Sequence, residues 1–230
     1  MPTLFITGAN RGIGFEFVKQ YAHMSWNIIA CFRNHKSAKE LVKLSEHYPN
    51  ITLHQLDVSD EKQIHSLTSK FSGKPIDVLI HNAGVDGATC EELGSLTQKN
   101  LQDVFMVNTV SPVLITQALL SNLLIGTYKT IAGLTSILSS IDDNHSGGRL
   151  GYRTSKAALN QTIKTLASDL SELKIKALAI HPGWVKTSMG GNDAKITPEV
   201  SIKGMIRLIN DYRLDNSGSF LTYEGKQLPW

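Results

Sequence analysis

The sequence predicts an α/β fold in which one doubly wound parallel sheet carries helices on both faces. Short apolar runs alternate with longer helical patterns along the chain, and a glycine-rich turn joins the first apolar run to the first helical pattern. Alternation of this kind is typical of βαβ units with parallel strands and right-handed crossovers. With 230 residues, 41% of them hydrophobic, the chain is long enough for one domain with a full core.

Each predicted element follows from this alternation. The strand-like segments are residues 3–7, 27–32, 51–56, 76–81, 130–134, 176–181 and 218–221, of which the fifth and the seventh have the weaker pattern. The helix-like segments are residues 12–24, 37–47, 61–71, 98–124, 152–171 and 198–211. No repeat or linker divides the chain, so we expect residues 1–230 to form a single domain, with irregular loops at 142–148 and 183–197. The second loop is a candidate for a short substrate lid, because its Gly190-Gly191 pair suggests mobility.

Composition excludes several classes of function. The net charge of +3 comes without a basic run, so we expect no nucleic-acid partner. No stretch is long and apolar enough to span a bilayer, and the first residues lack a signal-peptide pattern. The two cysteines, Cys31 and Cys90, suggest neither a disulfide framework nor a metal cluster, and Cys31 lies in an apolar run typical of a buried strand. We therefore expect a cytoplasmic protein without a metal.

The turn after the first strand has the spacing of a dinucleotide-binding loop. Gly8 allows a tight turn, Gly12 lets the backbone approach a diphosphate, and Gly14 lets the helix pack closely on the strand. The helix that begins there directs unpaired N–H groups and the positive end of its dipole at the phosphates. Asn10, Arg11 and Ile13 complete the turn. The segment therefore predicts a dinucleotide site formed by residues 8 and 10–14.

The end of the second strand indicates which dinucleotide is preferred. A site for NAD(H) places a carboxylate there to bind the ribose 2′-hydroxyl, whereas a 2′-phosphate is matched by arginine. This chain has Arg33 at that point and no carboxylate beside it, and Arg11 could add a second cation. Arginine also binds phosphate in a bidentate manner. The sequence therefore favours NADP(H) over NAD(H).

The next two strands end in residues suited to the rest of the cofactor. Asp57 and Val58 follow the third strand, where the carboxylate can accept from the adenine amino group or can close a turn. Asn82, Ala83 and Gly84 follow the fourth strand, and their small size allows a flat group to lie against the backbone. Both segments are predicted to line the cofactor site.

A tyrosine and a lysine one helical turn apart are the candidates for the chemistry. Tyr152 and Lys156 share one face of a predicted helix, and a nearby cation lowers the pKa of a tyrosine so that it can exchange a proton. A third candidate is Asn108, four residues before Pro112. Proline has no N–H to bond the Asn108 carbonyl, so either a kink leaves that acceptor open to water or the helix simply breaks there.

Together these motifs resemble the short-chain dehydrogenase/reductase family. The segments that carry the resemblance run in the family's order over nearly the whole chain: Thr7-Gly8-x3-Gly12-x-Gly14, Asp57-Val58, Asn82-Ala83-Gly84, Asn108, a serine before the tyrosine, Tyr152-x3-Lys156 and Pro182-Gly183. Within the family, the segments 152–160, 181–187 and 228–230 are similar to those of C-factor-like and sniffer-like carbonyl reductases. The resemblance implies a single Rossmann-type domain with about seven parallel strands, often assembled as a homodimer or homotetramer.

The resemblance also implies the reaction. Members of this family transfer hydride between a nicotinamide and a carbonyl or alcohol, with the tyrosine as proton donor and the lysine on the nicotinamide ribose. The asparagine main chain holds a water of the proton relay. For this chain, the implied roles fall on Tyr152, Lys156 and Asn108. Pro182 and Gly183 would shape the nicotinamide end, and Thr187 would contact the carboxamide or the diphosphate.

The active serine is assigned by the same resemblance, with two candidates. The usual spacing of thirteen residues before the tyrosine points to Ser139, whereas the sequence after the fifth strand aligns the role with Ser136 and places the extra residues in the loop 142–148. We favour Ser136. A different function on the same fold is an NADP(H)-binding sensor or signalling protein with little catalysis, because fold alone does not determine function.

Overall fold

The computed structural model describes residues 1–87 and 93–230. Cys90, one of the two cysteines considered above, lies outside the described residues. Seven strands are present in the described ranges: β1 (Thr3–Ile6), β2 (Asn27–Phe32), β3 (Ile51–Gln55), β4 (Val78–His81), β5 (Thr130–Leu134), β6 (Lys176–His181) and β7 (Ser219–Thr222). The α-helices of the same ranges are α1 (Gly12–His23), α2 (Lys39–His47), α3 (Glu61–Lys70), α4 (Gln98–Phe105), α5 (Ser111–Ala118), α6 (Leu120–Leu124), α7 (Leu150–Asp169) and α8 (Pro198–Asp211).

The strands form one parallel sheet in the order β3-β2-β1-β4-β5-β6-β7. The chain moves outward from β1 to β3 and then returns to place β4 beside β1, with Leu4 paired to Val78. In open α/β sheets, ligands bind outside the carboxyl ends of the strands at the point where the order reverses. The predicted doubly wound sheet is therefore confirmed, and its topology directs attention to the ends of β1 and β4.

Helices cover both faces of the sheet, as the sequence predicts. Along β1, Leu4 and Ile6 belong to one buried cluster, which Phe17 of α1 joins. Phe5 points to the other side and packs in a second cluster with Ile115 of α5. This alternation is the two-residue period of a strand buried on both faces. Full burial of such a side chain contributes roughly 1.5–3 kcal/mol, so the two layers hold the sheet rigid behind the site.

The helical stretch that the sequence places at 98–124 is not one regular helix. A π-helical turn at Met106–Val110 separates α4 from α5, and Pro112 lies in the first turn of α5. The Ser111 N–H bonds the Met106 carbonyl, five residues back. Leu119 then separates α5 from the short α6. The predicted irregularity before Pro112 is therefore present, as an inserted residue in the helix and not as a break.

Two smaller expectations have clear outcomes. Cys31 is 1% exposed, and burial raises the pKa of its thiol, as expected for a cysteine that acts as a small apolar residue. The segment 183–197 is irregular as predicted, but its two ends are tied together. The Lys186 N–H donates to the Ile196 carbonyl over 2.8 Å, and the Ile196 N–H donates to the Trp184 carbonyl over 3.1 Å.

Three histidines at the sheet are held neutral by burial. The pKa of His81, at the end of β4, is lowered to about 3, and the pKa values of His54 and His181 are lowered to about 4. Below the ordinary pKa of 6.5, the unfolded chain binds protons that the folded chain does not. The stability contributed by these groups is therefore fully present above about pH 6.5 and is lost as the pH falls toward the folded pKa values.

We expect His81→Asn to reduce the acid sensitivity of the fold. His81 is 2% exposed and its Nε2 lies 2.9 Å from Thr116 Oγ1, so an asparagine removes the proton-binding ring from a buried position. The measurement is the melting temperature between about pH 7 and about pH 4. The control is His65→Asn, at an exposed position of α3, which should keep the original pH dependence. An equal loss of melting temperature on acidification in both variants would contradict the assignment.

Candidate active site

The glycine turn after β1 is locked to the turn after β4. The Asn82 side-chain amide donates to the carbonyl oxygens of Thr7 and Gly8, each over 2.9 Å. The Thr7 hydroxyl oxygen accepts from the Asn82 and Ala83 N–H groups over 3.2 and 3.0 Å. A Cβ atom on Gly14 would lie 2.3 Å from the Gly8 carbonyl oxygen and 2.5 Å from Asn82 Nδ2. Gly14 is therefore required by the contact between the two turns.

The other two glycines of the turn have left-handed backbone conformations. Gly8 has φ +67°, and Gly12 has φ +55° and faces Thr187, whose Cγ2 would be 3.3 Å from a Cβ at that position. Helix α1 begins directly after Arg11, whose side chain makes no capping hydrogen bond, and its first turn contains no acidic residue. The N–H groups of this turn therefore favour an anion in the adjacent cleft.

A cleft of about 480 Å³ runs from this turn along the carboxyl edge of the sheet. Most of the predicted cofactor residues line it: Gly8, Asn10, Arg11, Gly12, Ile13, Gly14, Arg33, Asp57, Val58, Asn82, Ala83, Gly84, Tyr152, Lys156, Pro182 and Thr187. Gly183 is not among its lining residues. It has φ +81°, and a Cβ there would lie 2.4 Å from Ile196 Cδ1, so its position supports the following segment.

At the end of β2, the cleft is basic. Arg33 is exposed, and Arg11 Nη1 donates to Ser188 Oγ over 3.1 Å. The Asn10 amide donates to the carbonyl oxygen of Ser37 over 3.1 Å and to its hydroxyl over 3.3 Å, which brings Ser37 into the cleft wall. These cations and hydroxyls are suited to a phosphate.

Asp57 is engaged within its own turn. Its Oδ1 accepts from the N–H and the hydroxyl of Ser59 over 2.9 and 2.7 Å. This is the turn-closing role that the sequence leaves open for the carboxylate. Asp57 and the 8% exposed Val58 line the cleft, and contact with adenine stays a prediction.

Asn108 acts in the structure through its side chain. Its Oδ1 accepts from the Val85 N–H and its Nδ2 donates to the Val85 carbonyl, each over 2.9 Å. The same Nδ2 donates to Ser155 Oγ over 3.0 Å. Asn108 is fully buried, so it fixes the strand end after Gly84 against α7. The sequence reasoning assigns only its main chain, and the water relay at that carbonyl stays a prediction.

The two candidate serines occupy different places. The hydroxyl of Ser136 lies beside the side chain of Tyr152, whose pKa it lowers, and its oxygen accepts from the Leu138 N–H over 3.2 Å. Ser139 faces inward, where its hydroxyl accepts from Thr135 Oγ1 over 3.0 Å and from Asn160 Nδ2 over 2.7 Å. The geometry therefore favours Ser136 as the serine beside the tyrosine and gives Ser139 a structural position.

Tyr152 and Lys156 lie on the same face of α7 and are both buried. Burial raises the pKa of Tyr152, while the hydrogen bond from Ser136 and the charge of Arg149 lower it and the charge of Asp86 raises it. Burial lowers the pKa of Lys156 to about 8, and its Nζ donates to the Leu134 carbonyl over 2.7 Å.

This electrostatic balance corrects one expectation from the sequence. Lys156 is expected from its spacing to lower the pKa of Tyr152, but its Nζ lies 6.0 Å from the ring centroid and is directed to the Leu134 carbonyl. The groups that favour the phenolate in the structure are Ser136 and Arg149, and the net pKa of Tyr152 is raised because desolvation outweighs them.

The segment after β6 is cross-linked by hydrogen bonds of its own. Trp184 Nε1 donates to the Gly190 carbonyl over 2.7 Å, and Thr187 Oγ1 accepts from the Gly190 N–H over 3.1 Å. A Cβ on Gly190 would lie 2.0 Å from the Val185 carbonyl oxygen. Gly190 is therefore required by tight packing, whereas the sequence suggests that the glycine pair provides mobility.

Several cleft residues are not identified by the sequence reasoning: Ser37, Leu56, Val85, Val107, Leu134, Thr135 and Ser188. Leu134 and Thr135 could have been found, because they end β5 at the same edge as the predicted site. Ser37 could not, because its position depends on the contact with Asn10, 27 residues away.

Within residues 1–87 and 93–230, no group of His, Cys, Asp and Glu residues could hold a metal ion, and no helix is long and apolar enough to cross a membrane.

Known proteins are similar to this chain in sequence and in fold. C-signal of Myxococcus xanthus is 39% identical over 156 residues, which cover 68% of this chain and 93% of that protein. The crystal structure of an NADPH-bound carbonyl reductase from chicken fatty liver superposes with a TM-score of 0.91 at 32% identity, covering 100% of this chain and 99% of the other. Carbonyl reductase Sniffer of Drosophila melanogaster gives a TM-score of 0.92 at 31% identity, with full coverage of both chains.

A family model described as short chain dehydrogenase matches residues 2–196, which include the glycine turn, Asn108, Ser136 and the Tyr152–Lys156 pair. The seven-stranded parallel sheet and the cleft at its carboxyl edge agree with this match. The chain therefore belongs to the short-chain dehydrogenase family of oxidoreductases.

Proposed function

We propose that this protein is an NADP(H)-dependent oxidoreductase of the carbonyl reductase type, which transfers hydride between the nicotinamide and a carbonyl or alcohol. The observation that carries the proposal is the position of Tyr152. It lies beside Ser136, whose hydroxyl lowers its pKa, and it lines the same cleft as the glycine turn and Arg33. A proton donor therefore shares one cavity with a site suited to a phosphate-bearing dinucleotide.

The residues of the cleft fit such a cofactor. The absence of a side chain at Gly12 leaves the backbone of the turn accessible at the start of α1, where a diphosphate is favoured. A Cβ on Gly84 would lie 3.3 Å from Asn108 Oδ1 and 3.4 Å from Lys156 Nζ, so this glycine leaves room beside the lysine. The carbonyl reductase from chicken fatty liver with a similar fold binds NADPH.

The chemistry can be divided between the cofactor and the protein. When bound, NADPH supplies the hydride that reduces the carbonyl carbon. Tyr152 donates a proton to the carbonyl oxygen, and Ser136 hydrogen-bonds that oxygen as negative charge develops on it. Lys156 would bind the ribose hydroxyls of the cofactor. Asn108 holds the surrounding backbone and completes the relay that returns protons to Tyr152. Pro182, Gly183 and Thr187 shape the nicotinamide end.

The rim of the cleft supports apolar carbonyl substrates. Met189 lines the cleft and is 47% exposed, and Ile137, which follows Ser136, is 36% exposed. Trp184 is 51% exposed on the 183–197 segment that also contains Met189. Exposed apolar side chains around a polar centre favour quinones, aromatic ketones and aldehydes. A panel of these compounds, monitored by NADPH oxidation, identifies the class.

A signalling protein on the same fold is the second candidate, because one relative is named C-signal. Measurement of NADPH binding together with turnover separates the two functions. Tight binding without turnover of any carbonyl in the panel would favour the signalling function and would reject the reductase. Catalysis is supported by the full set of implied catalytic residues, since binding alone does not need a proton donor. The set consists of Asn108, Ser136, Tyr152 and Lys156.

We also propose that the protein is cytoplasmic and forms a homodimer or homotetramer through the helices α4, α5 and α7. Val110 and Val113 support this assembly, because they are 40% and 39% exposed along the stretch that contains α5. Light scattering measures the mass in solution, and a monomer at all concentrations would reject the assembly.

Replacing the proton donor should abolish turnover without affecting cofactor binding. We expect Tyr152→Phe to lower kcat by at least about a hundredfold, which is the usual minimum contribution of a general acid, because the phenyl ring keeps the packing but has no proton to give. The measurement is NADPH oxidation, together with the Kd for NADPH. Tyr128→Phe, a remote position beside Trp26, is the matched control. Normal turnover by Tyr152→Phe would reject the mechanism.

The two serines should differ in what their loss affects. Ser136→Ala should lower kcat by about a hundredfold, because it removes a donor to the developing oxyanion, and should lower the melting temperature less than Ser139→Ala, because it loses only the bond from the Leu138 N–H. Ser139→Ala should destabilise the fold by about 1–3 kcal/mol, because Thr135 and Asn160 lose a buried partner. The reverse pattern, with kcat lost only in Ser139→Ala, would assign the role to Ser139.

Arg33 should determine the preference between the two cofactors. We expect Arg33→Gln to raise the Kd for NADPH by about tenfold while the Kd for NADH changes little, because only NADPH carries the 2′-phosphate. Arg213→Gln, another exposed arginine, is the control. Equal weakening of both cofactors would show that Arg33 does not recognise the 2′-phosphate.

A further inference from the structure

An unusual backbone segment precedes the helix that carries Tyr152. Gly147, Gly148 and Arg149 all have positive φ angles, of 61°, 70° and 49°. The first two are glycines, for which this conformation is unstrained, but Arg149 carries a side chain in the left-handed region. Arg149 is also the N-cap of α7 and makes no side-chain capping bond there. Strain at a residue that does not cap the helix suggests that its side chain is needed elsewhere.

The turn is held in place by a buried arginine. Arg153, which is 8% exposed, donates from Nε to the carbonyl oxygens of Gly147 and Gly148 over 3.0 and 3.1 Å. Its Nη2 donates to Ser146 Oγ over 2.8 Å, and its Nη1 donates to the Leu138 carbonyl over 3.2 Å. One guanidinium therefore joins the left-handed turn to the short helical turn that follows Ser136.

The side chain of Arg149 is directed onto Tyr152. Its guanidinium carbon lies 4.9 Å from the centroid of the Tyr152 ring, closer than Lys156 Nζ at 6.0 Å. Among the described residues, Ser136 and Arg149 favour the phenolate of Tyr152 and Asp86 opposes it, and the Nζ of Lys156 also faces the ring.

We propose that Arg149 is a positioning residue of the active site, which holds the Tyr152 ring through a cation–π contact and stabilises the negative charge that Tyr152 acquires when it releases its proton. The inference deepens the proposed function and rests on it. In the reduction, a hydride supplied by NADPH, which would be oxidised to NADP+, adds to the carbonyl carbon, the C=O π electrons move to oxygen, and the Tyr152 O–H gives its proton to that oxygen. Tyr152 is left as a phenolate beside Arg149 until a proton returns.

The proposal is tested by changing both the charge and the backbone at this position. Arg149→Gln removes the charge, Arg149→Lys keeps it, and Arg149→Gly removes the charge while relieving the backbone strain. Lys174→Gly is the matched control, because Lys174 is an exposed basic residue with φ 60° on another loop. Both glycine variants should keep or raise the melting temperature. Loss of fold therefore does not account for an effect of Arg149→Gly.

The readout is the pH dependence of carbonyl reduction, with the Kd for NADPH measured in parallel. In Arg149→Gln and Arg149→Gly, the alkaline limb should move upward by about one pH unit, as expected when an opposite charge near the phenol is removed. Arg149→Lys should retain most of the original profile, and Lys174→Gly should retain all of it. An unchanged profile in Arg149→Gly would overturn the proposal, as would an equal movement in Lys174→Gly.

A second measurement separates this inference from the proposed function. The titration of Tyr152 is followed by its near-ultraviolet absorbance, as the difference between proteins with and without the Tyr152→Phe substitution. The difference is recorded once with the native Arg149 and once in the Arg149→Gln background. A higher titration midpoint without Arg149 supports the inference even if no carbonyl is turned over, a result that would reject only the reductase function. If carbonyls are turned over but the titration midpoint of Tyr152 is the same with native Arg149 and in the Arg149→Gln background, only the role of Arg149 is rejected.

Discussion

The contact between the turns after β1 and β4 is the constraint on which the rest of the site depends. Asn82 reaches across to the carbonyl oxygens of Thr7 and Gly8, and the space it occupies exists only because Gly14 has no side chain. These two strands are neighbours in the sheet although their ends are 75 residues apart in sequence. The strand order reverses between them, and the crevice in which a dinucleotide can lie is found outside their carboxyl ends.

A second layer of contacts extends this constraint to the catalytic helix. Asn108, placed by the π-helical turn, joins the strand end at Val85 to Ser155 of α7. Tyr152 and Lys156 follow on the same helix and are buried against β5, where Leu134 accepts from the lysine. Because the side chains that hold the site are themselves buried and hydrogen-bonded, the cleft is pre-organised before any ligand enters it.

Burial also explains the electrostatics of the centre. Removing a phenol from water favours its neutral form, which suits a proton donor but makes the phenolate that follows costly. The cationic Arg149 and the hydroxyl of Ser136 oppose that cost, whereas Asp86 adds to it. The segment that precedes α7 thus contributes to the chemistry as well as to the shape of the loop.

The sequence by itself determined the alternation of strands and helices, the glycine turn, the carboxyl-edge location of the site and the pair Tyr152 and Lys156, because each depends on local periodicity or on residues near in sequence. It also narrowed the choice of the active serine to Ser136 and Ser139. Only the tertiary structure decided which of them faces the tyrosine, since Ser139 is drawn inward by Asn160. It likewise brought Ser37 and Arg149 to the site and directed Lys156 to Leu134 rather than to the phenol. These outcomes depend on burial and on partners distant in sequence, which no spacing of residues along the chain specifies.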